Sequence, residues 1–166
     1  MSDTGDEAGI ERFEVVRWMP FPAAAIFAVV RDPAGHVDID SSGMLQSFTG
    51  EPAGAVGDRF VVHMDRESLN DFPLGKYDVE VEIITYEPDR EIAWTIYGQI
   101  KPPIGHVYGY RLEPAEVDGV AGTNVTSYYD WSRIDQTWRE AGIFPVLPEM
   151  ALRATLGILE RTVRRR

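Results

Sequence analysis

His106 and the tyrosines that follow it are the residues of this sequence best suited to acid–base chemistry. His106, Tyr108 and Tyr110 alternate along one predicted strand, so their side chains share one face of the sheet. An imidazole flanked by phenols can move protons near neutral pH, which makes His106 and Tyr108 the candidate catalytic residues. A buried histidine with a structural role is an equally good interpretation of the same pattern.

A larger set of aromatic and apolar residues shares this predicted inner face. Buried tyrosine hydroxyls need hydrogen-bond partners, so several on one concave face indicate a cavity that contains water or a ligand. The alternative is that these side chains fill space and bond to one another. The candidate ligand-binding residues, taken from strand parity and from the last helix, are Phe60, Met64, Tyr77, Trp94, Tyr110, Tyr129, Trp131, Leu152 and Leu156.

A second ionisable group, His36, Asp38 and Asp40, alternates within a segment rich in Pro, Gly, Asp and Ser, and we place it at the cavity entrance. Imidazole and carboxylate groups in this pattern suit a general-base pair or a site for a hard metal ion. A solvated loop with a helix cap explains them better, since metal binding requires a convergence that spacing cannot show. We therefore predict no metal ion and no other cofactor.

Length and charge limit the class of protein. The 166 residues are 44% hydrophobic and 26% charged, typical of one globular domain, which we place at residues 11–166. Residues 1–10 are acidic and polar, and we expect a disordered tail there. The net charge of -11 repels phosphate backbones, so nucleic acid is not an expected partner.

Cysteine is absent, which excludes disulfides and thiolate chemistry and suits a reducing compartment. The N-terminal residues lack the blocks of a signal peptide, and no apolar run reaches membrane-spanning length. We expect a cytoplasmic protein that does not insert stably into membranes. Nucleophile elbows, phosphate loops, dinucleotide fingerprints and zincin motifs are also absent, so hydrolase, kinase and oxidoreductase functions have no specific support.

Hydrophobic periodicity predicts six or seven strands and three helices, and this order favours an α+β fold. Leu152, Leu156, Leu159 and Val163 form an apolar stripe on the last helix, which must lie across the apolar face of the sheet. The segment 33–42 is predicted as a loop or one helical turn. The predicted strands are 11–19, 43–49, 57–65, 76–86, 91–98, 105–114 and 122–132, and the predicted helices are 22–32, 136–142 and 148–164.

Several motifs in this order resemble the polyketide cyclase/dehydrase and lipid-transfer proteins of the START-like, helix-grip superfamily, over nearly the whole chain. They are Arg31-Asp32-Pro33 after a Pro-led helix, Gly57-Asp58-Arg59-Phe60 at a strand start, the turn from Tyr86 to Trp94, and Gly122 to Thr126 before the final helix. Family members typically carry a Trp-Pro-x-Trp-like stretch after the first helix. Residues 36–40 replace it here.

The resemblance implies a curved antiparallel sheet that wraps a long C-terminal helix, with a ligand tunnel between them. The first functional hypothesis is a carrier or sensor of an apolar metabolite such as a lipid, polyketide or isoprenoid. The second is a cyclase or dehydratase that uses His106 and the cavity tyrosines as acid and base. The third is a regulatory or partner-binding domain without a ligand. The sequence leaves oligomeric state open.

Overall fold

A computed structural model describes residues 10–70 and 73–166. In these residues, seven antiparallel strands form one sheet in the order β1-β7-β6-β5-β4-β3-β2. The strands are β1 (Arg12–Met19), β2 (Leu45–Thr49), β3 (Arg59–Asp65), β4 (Lys76–Glu87), β5 (Glu91–Tyr97), β6 (Val107–Val117) and β7 (Val120–Asp130). The helices are α1 (Ala23–Val30), α2 (Pro33–Ile39), α3 (Gln136–Ala141) and α4 (Glu149–Arg165), with a short 3-10 turn at Glu67–Leu69.

The long helix α4 packs across the sheet through the stripe that the sequence predicts. Leu152, Leu156, Leu159 and Val163 are all buried, while the opposite side of the helix carries ion pairs such as Arg153 with Glu149. Burying an apolar stripe against an apolar sheet face removes both surfaces from water, and this drives the docking. The predicted α+β class and the helix-grip arrangement are confirmed.

Helix α2 is longer than the single turn that the sequence predicts. The side chain of Asp32 caps it by accepting a hydrogen bond from the backbone N–H of Ala34, and Pro33 occupies the first helical turn. Both features stabilise a helix start. This helix carries His36 and places it against the concave face of the sheet.

A bulge in β4 makes the predicted alternation incomplete. Tyr77 to Ile83 follow the predicted parity, but the pairing with β5 shifts between Ile83 and Thr85. The extra residue, Ile84, is exposed, and beyond it Tyr86 points inward against Phe27, with ring centroids 5.4 Å apart. A bulge increases local twist and bend, so it contributes to the curvature that makes the sheet concave.

The predicted tail lies mostly in residues 1–9, outside the described part of the chain. Across residues 10–70 and 73–166, no helix combines the length and apolarity that crossing a bilayer requires.

Candidate functional site

A cavity of about 250 Å³ lies between the concave face of the sheet and the first turns of α4. Strand alternation directs inward-facing side chains of β3 to β7 into it, and α4 and the segment between α2 and β2 complete the wall. Most lining side chains are apolar. They include Ile39, Met44, Leu45, Val62, Met64, Val79, Val81, Trp94, Ile96, Tyr108, Tyr110, Leu147, Ala151 and Leu152, with His36, Asp40, Ser41, Ser42, Ser127 and Thr155 as polar members.

His36 lines the cavity as a buried, neutral imidazole. Its Nε2 donates a hydrogen bond of 2.7 Å to the carbonyl oxygen of Val30 in α1. Its ring lies 4.5 Å from Trp94 and 5.1 Å from Phe60, centroid to centroid. Burial lowers the pKa of His36 to about 4, although the hydrogen bond to Val30 and the charge of Asp32 oppose the shift. The ring is therefore uncharged at neutral pH.

Tyr108 and Tyr110 give the cavity wall phenol groups. Trp94 lies next to both, stacked nearly parallel to Tyr108 with centroids 6.1 Å apart. Burial raises the pKa of both tyrosines well above the usual value of 10, and for Tyr110 a hydrogen bond with Ser127 partly offsets the shift. Both phenols are therefore protonated at neutral pH and serve as hydrogen-bond groups rather than bases.

Asp40 lines the cavity and holds its own loop in place. Its Oδ1 accepts hydrogen bonds from the backbone N–H and the hydroxyl of Ser42, and its Oδ2 accepts one from the N–H of Leu45. A carboxylate engaged in this way holds backbone geometry. Next to it, the hydroxyls of Ser41 and Thr155 lie 2.9 Å apart and tie this loop to α4.

His106 lies behind the cavity wall. Its Nδ1 is 2.8 Å from the hydroxyl of Tyr129, and its ring packs against Tyr108 and Phe144. Among the described residues, its Nε2 is the one fully buried side-chain nitrogen or oxygen without a hydrogen-bond partner. Burial lowers the pKa of His106 to about 4. Protonation of this ring therefore costs stability, unless the chain segment that covers it moves.

The cover is the segment 142–148, which joins α3 to α4. The ring of Phe144 packs on His106, the backbone of Val146 hydrogen-bonds to Tyr129, and the side chain of Leu147 lines the cavity. Burial raises the pKa of Tyr129, and the bond with Val146 works against that rise. One segment thus covers both the cavity and the His106–Tyr129 pair.

The structure brings seven of the predicted site residues to the cavity wall. The ligand-binding candidates among them are Met64, Trp94, Tyr110 and Leu152, the catalytic candidate is Tyr108, and the entrance candidates are His36 and Asp40. The other candidates lie elsewhere. Within residues 10–70 and 73–166, no group of three His, Asp or Glu side chains is arranged to hold a metal ion.

The remaining candidates lie outside the cavity for local reasons. Phe60 is buried behind the ring of His36, and Leu156 is buried deeper in the core. Tyr129 is covered by His106 and Trp131, and Trp131 packs edge-on against Phe13. Tyr77 borders two other depressions, one of about 70 Å³ and a more open one of about 690 Å³. Asp38 is exposed at an ion pair of 3.4 Å with Arg166. His106 is separated from the cavity by Tyr108.

Sequence reasoning missed much of the apolar lining. Val79, Val81 and Ile96 share the predicted inner parity, so strand parity identifies them. They are not aromatic, and the candidates on the strands were mostly aromatic residues. Ser41, Ser42, Met44 and Leu45 had no such signal, because they belong to a loop without periodicity. Only the fold shows that this loop meets α4.

Stability should fall in mild acid because two imidazoles are buried neutral. His36 and His106 bind protons near pH 6.5 in the unfolded chain but only near pH 4 when folded. Their contribution is complete above about pH 6.5 and decreases as the pH falls towards 4. Each should account for a loss of roughly 2 to 3 kcal/mol between pH 7.5 and 4.5.

Urea unfolding of the wild type and of His106→Leu at several pH values measures this loss. The free energy of unfolding of the variant should depend less on pH, by roughly 2 to 3 kcal/mol over the same interval. Equal pH dependence in the two proteins would contradict the burial of a neutral His106.

Comparison with known proteins gives one partial sequence relative. No protein-family model matches the sequence. The uncharacterized protein Rv0088 of Mycobacterium tuberculosis is 27% identical over 111 residues, which cover 66% of this chain and 43% of that protein. The matched region therefore spans less than half of the relative's length.

Solved structures resemble almost the whole chain. DR_A0006 from Deinococcus radiodurans is 23% identical and aligns over 90% of this chain and 95% of its own, with a TM-score of 0.60. The Aha1 dimer from Colwellia psychrerythraea is 14% identical, covering 92% and 95% with a TM-score of 0.56. Ara h 8.0201 is 16% identical, covering 95% and 100% with a TM-score of 0.55. At these identities the similarity is one of fold.

The strand order and the helix across the concave sheet match the architecture of these solved structures. The AHSA1-like and Bet v1-like proteins among the neighbours are built on the same grip of a sheet around a C-terminal helix. The resemblance drawn from the motifs is thus confirmed as a shared fold. By its architecture, the chain has the helix-grip fold.

Proposed function

We propose that this protein binds an apolar small molecule in the cavity between the sheet and α4, as a carrier or sensor. The observation that carries the proposal is the cavity itself, about 250 Å³ in volume with a largely apolar and aromatic lining. Concave, mostly apolar sites with few polar groups are the usual form of small-molecule sites in proteins. A cytoplasmic location belongs to the same proposal.

A series of ligands of increasing size tests the proposal. A dry apolar cavity of about 150 Å³ accommodates benzene, so this larger cavity should accept one- and two-ring compounds. We expect benzene, indole and naphthalene to raise the melting temperature, because a ligand that binds only the folded state stabilises it. Differential scanning fluorimetry measures the shift, and native mass spectrometry identifies any bound metabolite. Absence of a shift with every compound, together with no bound metabolite, would contradict the proposal.

An enzymatic role has weaker support. The unpartnered Nε2 of His106 is the observation in its favour, since a buried basic nitrogen next to a phenol suits proton transfer. However, this nitrogen is shielded by Tyr108 and Phe144 and does not border the cavity. A cyclase or dehydratase mechanism would require movement of the cover. A domain without a ligand would leave the cavity unexplained.

A further inference from the structure

One polar group of the cavity wall has a defined hydrogen-bonding role. The Nε2 of His36 lies 2.7 Å from the carbonyl oxygen of Val30, and a carbonyl can only accept. Nε2 therefore carries the hydrogen. In a neutral imidazole the other nitrogen, Nδ1, then holds a lone pair and acts as an acceptor.

Nδ1 of His36 is available to a ligand. Among the described residues no side chain or backbone group is hydrogen-bonded to it. It is also not sealed in the core, because the single fully buried, unpartnered side-chain atom in this part of the chain is Nε2 of His106. Since only 7% of His36 is exposed and this residue lines the cavity, we infer that the space beside Nδ1 is the cavity.

The surroundings keep this acceptor in place. Hydrogen bonding to α1 fixes one edge of the ring, and Phe60 and Trp94 pack against it. The ring is neutral at pH 7 because burial lowers its pKa to about 4. A neutral acceptor in an apolar wall favours a neutral donor, because burying a charged ligand costs its hydration and the carboxylate in this wall, Asp40, is already engaged by Ser42 and Leu45.

The size of the cavity restricts the rest of the ligand. A volume of about 250 Å³ exceeds the roughly 150 Å³ that suffices for benzene. It falls below the range of about 300 to 1,000 Å³ that is typical of sites for drug-sized ligands. One or two rings therefore fit this volume, whereas a long acyl chain would have to extend out of the cavity.

We propose that the cavity selects a compact ring compound with a neutral hydroxyl group, and that Nδ1 of His36 accepts the hydrogen bond from that hydroxyl. This inference rests on the proposed function and adds the chemical class of the ligand. It makes His36 the residue that distinguishes a hydroxylated ring from its unhydroxylated counterpart. A lost hydrogen bond in an apolar site typically changes affinity by about fivefold.

Equilibrium dialysis with 2-naphthol and 2-fluoronaphthalene tests this selection. The two probes have nearly the same shape, but only 2-naphthol has an O–H group. We expect the wild type to bind 2-naphthol about fivefold more tightly. In His36→Leu this preference should disappear while 2-fluoronaphthalene still binds. His36→Gln should retain part of the preference. The amide nitrogen of glutamine can donate a hydrogen bond to the carbonyl of Val30, and its amide oxygen can accept one from the ligand hydroxyl.

His63→Leu is the matched control, because His63 is a partly exposed histidine of β3 that bonds to Thr49 and Asp78 outside the cavity. It should keep the wild-type preference. Equal affinity of the wild type for both probes, or an unchanged preference in His36→Leu, would overturn the role of His36 and leave the proposed function standing. Failure of both probes to bind the wild type would overturn this selection, and the proposed function fails only if the ligand series and the search for a bound metabolite are negative too. If His36→Leu does not fold, equal affinity of the wild type for both probes still overturns the proposal, and an unchanged preference in His36→Gln argues against the role of His36.

Discussion

Ala151→Phe should abolish ligand binding while the protein stays folded. Ala151 lies in the first turn of α4, partly buried, and its side chain contributes to the cavity wall. A phenyl ring needs about the space that benzene takes in a cavity of roughly 150 Å³, so about 100 Å³ would remain, less than benzene itself requires. We expect affinity for naphthalene to fall at least about 100-fold, or about 2.7 kcal/mol. Isothermal titration calorimetry or dialysis measures the loss.

Ala154→Phe is the matched control for this experiment. Ala154 lies on the same helix but is exposed, so the same substitution adds a ring on the solvent side. Binding should remain within about twofold of the wild type, since surface substitutions change stability by only about 0.5 kcal/mol. Unchanged naphthalene binding in Ala151→Phe, with a folded protein, would show that the ligand lies elsewhere. Equal losses in both variants would point to an effect on the helix.

Gly35→Ala should produce the largest loss of stability among the simple substitutions of the site. A β-carbon on Gly35 would overlap the carbonyl oxygen of Val29 and touch its side chain, because α2 crosses α1 at this glycine. The overlapping atom belongs to the backbone and cannot rotate away. Alanine normally favours a helix, but here the two helices must separate, at a cost of about 3 kcal/mol. The midpoint of urea unfolding should fall accordingly.

Gly54→Ala provides the comparison. The nearest atom to a β-carbon there is Oδ2 of Asp58 at 3.7 Å, an ordinary contact. Its stability should remain within about 0.5 kcal/mol of the wild type. If Gly35→Ala were equally stable, the close crossing of α1 and α2 would be incorrect, and so would the position of His36 that depends on it.

The sequence predicted the fold well because its main signals are periodic. The stripe of α4 is buried at each predicted position, and the inward parity of β4 holds from Tyr77 to Ile83. Both patterns follow directly from the geometry of helices and strands. The bulge at Ile84 was not predictable, because a single inserted residue leaves no periodic trace before pairing with β5 is known.

The site was less predictable than the fold. Strand alternation predicts which face of the sheet a side chain lies on. It does not predict whether other side chains cover that side chain. Tyr129 and Trp131 have the predicted inward direction, yet they are covered by neighbouring rings. The segment 142–148, which covers His106 through Phe144, has no periodic pattern, so its position depends on tertiary contacts alone.

The Asp40 carboxylate has a consequence for binding kinetics. Because its two oxygens hold the backbone between α2 and β2, that part of the cavity wall is ordered before a ligand arrives. Little conformational entropy is then lost there on association, which is the benefit of preorganisation. Related ligands should therefore enter at similar rates, and their affinities should differ through residence time.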